Sequence, residues 1–291
     1  MPHHAVPVPE QSSSSSSWSR FWERGGAWRA LLLAAAYYAL YQLMSWLVGS
    51  VFGPAGSGIR GEEGEAMDVL IGTALPIVLG SVILVVFAAS VGWLKELFGP
   101  QPVRGRGWMW VAVGVVLAIN VSAFLSIDYA DAGAGLVAAW LFTGLFVGFA
   151  EEVLTRGFVV NLMRKAGHGE IAVGLTSAGI FAALHLGNLF TSDQGLATTL
   201  QQVVYTFFFG LCMYLALRVT GNLIWPILLH ATTDPTLFLH GGHPVTNVFG
   251  LLPAFSTYLI VLTGIVLLIV FLVSERRRAK RDGLVEATVP A

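Results

Sequence analysis

Eight apolar runs divide this chain, at residues 28–52, 67–92, 108–127, 135–164, 170–190, 197–219, 222–239 and 254–273. Each approaches the roughly 20 residues that a helix needs to cross a bilayer. In hydrocarbon, only a helix or a closed barrel pairs all of its own backbone N–H and C=O groups. Runs of this length therefore predict an all-α, polytopic membrane protein, a bundle of about eight transmembrane helices. The breaks carry turn chemistry: FGPAGSGIRGEEGE, FGPQPVRGRG, DYADAGAG, KAGHGE, TSDQG, TGN and HGGHP. Composition agrees, since only 11% of residues are charged, against roughly a quarter in soluble domains. A net charge of −1 and the lack of a basic domain give nucleic acid no footing. The lone Cys212 excludes an intrachain disulfide and a cysteine-built metal site, and reads as a small core residue.

The ends differ from the middle. Residues 1–20 read as a disordered Pro/Ser-rich tail without the pattern of a secretory signal. Residues 21–275 form the expected membrane domain, and residues 276–291 a basic tail. Lys and Arg set the orientation. Arg20, Arg24 and Arg29 flank the first run, and Lys95, Arg104 and Arg106 follow the second. Arg164 and Lys165 follow the fourth, Arg218 ends the sixth, and Arg276, Arg277, Arg278, Lys280 and Arg281 follow the eighth. With eight crossings all of these fall on one side. The other side carries Arg60 among Glu62, Glu63, Glu65 and Asp68. Both termini are expected in the cytoplasm, in a multi-pass protein of a bacterial plasma membrane.

Ionisable groups within the runs are few: Glu151, Glu152 and Arg156 in the fourth, His185 in the fifth, His230 and Asp234 in the seventh. An Asp, Lys or Arg at the bilayer centre costs roughly 2.5–3.5 kcal/mol on insertion scales. These groups must therefore face one another, or water, inside the bundle. Glu152 and Arg156 are four residues apart, in the favourable order for a helical ion pair. Glu151 lies about 100° around the helix and is left free. His230 and Asp234 also share a face, and Pro235 predicts that their helix ends or kinks there. Counting residues, Glu151 and His230 fall at matching depth, while His185 falls deeper unless its helix begins late or tilts. Asn188 is placed to orient His185 or to pack. Asn120 and Ser122 read as interhelical hydrogen bonders. His240 and His243 read as solvated.

Such a set can hydrolyse an amide by two routes. In the first, His185, His230 and a carboxylate hold a divalent metal, zinc by preference, with one open position. The candidate ligands are Glu151, His185, His230 and Asp234, and the metal lowers the pKa of bound water. In the second, no metal takes part. Glu151 and His185 take the proton from water, and His230 with its neighbour steadies the oxyanion. Either route needs a wet cavity, expected to open to the cytoplasm. Rival readings are a proton-coupled transporter, a haem protein with His185 and His230 as axial ligands, and a non-proteolytic interaction or immunity protein.

Three motifs, in this order, carry a resemblance. EEVLTR fits EExxxR, FAALH fits FxxxH, and HATTD fits HxxxN/D. Together they resemble the CPBP family, the CAAX protease and bacteriocin-processing (Abi) group that includes type II CAAX prenyl endopeptidases. The match covers about residues 135–240. It implies an intramembrane endopeptidase of metallo or glutamic type, acting on a membrane-associated peptide or protein amid membrane lipid. By position, Glu151 and His185 become the water-activating pair. Glu152 and Arg156 support the site, Phe181 packs beside it, and His230 and Asp234 take the oxyanion or ligand positions. The prenyl-protease branch has Asn where this chain has Asp234.

Overall fold

A computed structural model describes residues 16–53 and 61–288. The first 15 residues of the expected tail lie outside the described residues. Its last part is not irregular, because Ser17–Glu23 forms a short helix, α1. The Ser16 hydroxyl caps it, accepting from the Ser19 N–H at 3.1 Å. Trp18 and Trp22 then pack edge-on against Phe87, which gives those few residues an apolar anchor that a serine tract lacks.

Eight long helices follow: α2 (Ala27–Phe52), α3 (Glu63–Val91), α4 (Gly107–Phe124), α5 (Tyr129–Lys165), α6 (Glu170–Thr191), α7 (Leu196–Thr220), α8 (Ile224–Gly242) and α9 (Ser256–Thr288). The basic tail, as far as it is described, continues α9. Seven of the eight are long and apolar enough to cross a membrane. The exception is α8, where His230, Asp234 and three threonines dilute the apolar residues. It is a helix all the same, and it runs between the same two ends as its neighbours. At its start, the Asn222 amide donates to the Phe98 carbonyl at 3.0 Å, and the Gln101 N–H to the Gly221 carbonyl at 2.9 Å. At its end, the Asp128 N–H donates to the His243 carbonyl at 2.8 Å. His243 also pairs with Asp131 at 2.7 Å and His240 meets Ser126 at 3.0 Å, so neither is simply solvated.

The bundle is apolar outside. Val82, Val86, Leu262, Val266 and Ile269 are exposed, as lipid-facing positions require. Polar groups gather inside and at the ends. The basic loops meet at one end: Lys165 pairs with Glu23 and Glu96, Arg164 with Glu170, and Arg218 with Glu170 and Glu275. Burial pushes the Glu23 carboxyl up, but hydrogen bonds from Lys165 and Trp93 outweigh this and hold it below the ordinary carboxylate value.

Two features shape the centre. The first is a π-helical segment in α5, Val153–Val159, directly after Glu152. Such wider turns are rare and recur at functional sites. The second is the seam between α5 and α8. A Cβ at Gly148 would lie 2.6 Å from the Ala231 nitrogen and 2.7 Å from the Ile227 carbonyl oxygen. Of the end or kink expected at Pro235, the end does not occur. The helix continues to Gly242, with the proline ring seated against Gly144. Gly148→Ala is expected to cost about 1–3 kcal/mol by forcing the backbones apart. Thermal unfolding in detergent would measure it, and an unchanged midpoint would contradict the close seam.

Candidate active site

Three helices deliver the ionisable groups to one place. Glu151 and Glu152 end the regular part of α5, His185 begins a 3-10 turn in α6, and His230 and Asp234 sit on α8. His185 reaches the level of the others because α6 starts only at Glu170. It lies 15 residues past that start, and Glu151 lies 14 before the end of α5 at Lys165. At 1.5 Å per residue, both are about 21–23 Å from the basic end.

Glu152 is the hub. Its Oε1 accepts from Arg156 at 3.1 Å and faces His230 Nδ1 at 2.8 Å. All three side chains are buried. Arg156 also donates to the Gly210 carbonyl on α7 at 2.8 Å and lies 4.6 Å over the face of Phe181. Phe181 meets the rings of His185 and His230 edge-on, at 5.0 and 5.8 Å. The sequence reading paired Glu152 with Arg156, and the structure has that pair. It also adds His230 to the same oxygen, a contact between helices that spacing cannot reveal.

Glu151 points elsewhere. With His185, Asp234 and Asn188 it lines a cavity of about 510 Å³. His230 lies just behind this wall, with Nε2 3.6 Å from Glu151 Oε2 and 4.0 Å from Asp234 Oδ2. His185 Nδ1 is 2.9 Å from the Phe181 carbonyl. A carbonyl only accepts, so Nδ1 carries the proton and Nε2 keeps the lone pair in the neutral ring. That leaves His185 able to accept a proton. Asn188 donates to Gln202 at 2.8 Å, tying the 3-10 turn to α7. Asn120 donates to the Leu229 carbonyl at 3.0 Å and to Thr232 and Thr233, which bolts α4 to α8 beside His230.

The motif reading missed the tyrosines. Tyr37, Tyr38 and Tyr41 of α2 line the same cavity. Their signal was present, because tyrosines of an interfacial belt sit at span ends and these sit mid-span. A further test concerns metal. Among the described residues, no three His, Cys, Asp or Glu side chains are grouped as ligands of one ion. Both histidines spend Nδ1 on a protein acceptor and keep Nε2, the arrangement that a metal-ligating imidazole also has.

Residues 133–236 match the family described as type II CAAX prenyl endopeptidase, Rce1-like. The match spans all three motifs and supports the CAAX protease family, and with it a CAAX-type intramembrane protease. Neither the curated proteins nor the solved structures contain a match to this chain.

Proposed function

We propose that the protein cleaves a peptide bond of a membrane-associated substrate by a glutamate-activated water. The observation that carries this reading is the cavity lined jointly by Glu151, His185 and Asp234, with His230 Nε2 3.6 Å from Glu151. Water held between Glu151 and His185 gives its proton to the Glu151 carboxylate. Its oxygen attacks the carbonyl carbon, and the carbonyl oxygen becomes an oxyanion. Protonated His230 donates through Nδ1 to Glu152 and offers Nε2–H to that oxyanion. The tetrahedral intermediate then expels the amine, which takes the proton back from Glu151. One carboxyl and one amine product result. His185, its tautomer set by the Phe181 carbonyl, accepts from the water and aligns it.

Charge counting gives Asp234 a part. Glu152 with Arg156, and Glu151 with protonated His230, make two neutral pairs. A further ionised carboxylate would leave net negative charge within the membrane span, which is costly. In its protonated form Asp234 presents an O–H donor, as an amide would at this position. The end of the bundle with the basic loops is assigned to the cytoplasm by its charge, in a bacterial plasma membrane.

The reading is tested with purified protein and membrane-associated peptides identified by comparing membrane proteomes of wild type and Glu151→Gln. Dialysis against a chelator is expected to leave cleavage unchanged, with no stoichiometric metal by elemental analysis. Activity lost on dialysis and restored by zinc would return the chemistry to the metal route.

A further inference from the structure

The cavity of Glu151 and His185 runs toward one end of the bundle, and it is not the end with the basic loops. Asn188 and Ser192 line it beyond His185 on α6, Phe238 beyond Asp234 on α8, and Trp140 ahead of Glu151 on α5. All four lie on the side away from Lys165, Glu170 and Arg218, as does Gln202, bonded to Asn188 near the start of α7. From His185, α6 runs on only to Thr191, about 9 Å at 1.5 Å per residue, against about 22 Å back to Glu170. The lining residues that are exposed, Ser192 and Phe238, both belong to this far side. Leu154, which lines the cavity three residues nearer the basic end than Glu151, is fully buried.

Toward the basic end the bundle is solid. Every residue from Glu152 to Val160 on α5, and from Phe209 to Arg218 on α7, is buried. Arg156, its guanidinium turned to Glu152, Gly210 and Phe181, walls a separate cavity at the basic end. The two cavities share no lining residue. The apolar groove beside Trp18, Trp22 and Phe87 shares only Tyr37 with the catalytic cavity, and Tyr37 is buried.

Charge then decides which side of the membrane the mouth faces. Lys and Arg keep their end in the cytoplasm. The opposite end carries Glu63, Glu65, Asp68, Asp128, Asp131 and Asp193, with no Lys or Arg among its described residues. We propose that the catalytic cavity opens on the extracytoplasmic side, and that its substrate is an extended segment of a membrane protein beside the outer end of one of that protein's spans. This reverses the cytoplasmic mouth expected from the sequence. An extended chain covers about 3.3 Å per residue, so about three residues reach from the level of Thr191 to His185. The Ser192 hydroxyl and the side-chain amides of Asn188 and Gln202 offer the main chain of such a segment donors and acceptors on the way in. The position of the mouth stands on the cavity and the charges alone, whereas the substrate rests on the proteolytic reading above.

The test uses the full chain in intact bacterial cells and a membrane-impermeant maleimide. Cys212 is fully buried and serves as the unreactive background. Ser192→Cys at the mouth and Thr73→Cys, a half-buried lining position on α3, are expected to be labelled from outside. Gln202→Cys repeats the second measurement from the α7 wall, in case Thr73→Cys does not fold. Lys95→Cys, exposed at the basic end, is expected to be labelled only after the cells are opened. Lys95→Cys labelled from outside, with Ser192→Cys protected, would invert the chain and overturn the proposal. Ser192→Cys labelled from outside while the lining positions react only in opened cells, or not at all, would deny the cavity its outer mouth. A second arm reads the substrate by mapping peptide ends that appear in membranes with wild type but not with Glu151→Gln. These are expected beside the extracytoplasmic ends of spans, and ends on cytoplasmic flanks would overturn the substrate. If no such ends appear, the proteolytic reading falls and the substrate with it, while labelling from outside would still establish the mouth.

Discussion

Glu151→Gln is expected to slow peptide cleavage by at least about 100-fold and to leave the bundle folded. The substitution keeps the side chain's size and removes its ability to take a proton. Glu151 is the carboxylate with room around it, since it lines the cavity and meets His230 only at 3.6 Å. Its neighbour Glu152 is fully enclosed and is bonded on one oxygen by two partners. Cleavage rates and thermal unfolding, measured on the same preparations, separate chemistry from structure. Undiminished hydrolysis by the variant would remove Glu151 from the base position.

Arg156→Met should do the opposite, and unfold the protein before it informs on chemistry. It deletes the guanidinium that offsets Glu152, leaving a carboxylate buried with His230 alone. Removing one member of a buried pair costs about 3–5 kcal/mol. It also releases the Gly210 carbonyl and the face of Phe181. Chemical unfolding in detergent would measure the loss. Combining it with Glu152→Gln should cost less than the sum of the two, because the second change removes the charge that the first strands. Wild-type stability in Arg156→Met would mean that this pair does not hold the centre together.

Much of this was legible from residue types and spacing. The four-residue step from Glu152 to Arg156 forces a shared face on any helix, and the pair is there. Glu151, His185 and Asp234 were too polar to face lipid, and they line one cavity. What spacing could not supply depends on packing between helices. The contact from His230 to Glu152 joins residues 78 apart in the chain. The start of α6 at Glu170, which brings His185 to the level of Glu151, was already marked by the KAGHGE break. Pro235 predicts an end or a kink because the rule is local, and the end is avoided where Gly144 on α5 leaves room for its ring. The π segment has no known residue signature and could only be seen in three dimensions. Helix α8 is visible as an element but too polar to stand out by hydropathy, because its inner face is given over to the site.

The seam between α5 and α8 has a mechanical consequence. Gly148 lies against the Ala231 and Ile227 main chain and Gly144 against the Ala231 carbonyl and the stiff Pro235 ring, with no layer of flexible side chains between. Glu152 and His230 are clamped just beyond it. That flank behaves as a fixed jaw and keeps the reactive groups in register through every turnover. The other walls of the cavity are built differently, from the three tyrosines of α2 and the 3-10 turn of α6.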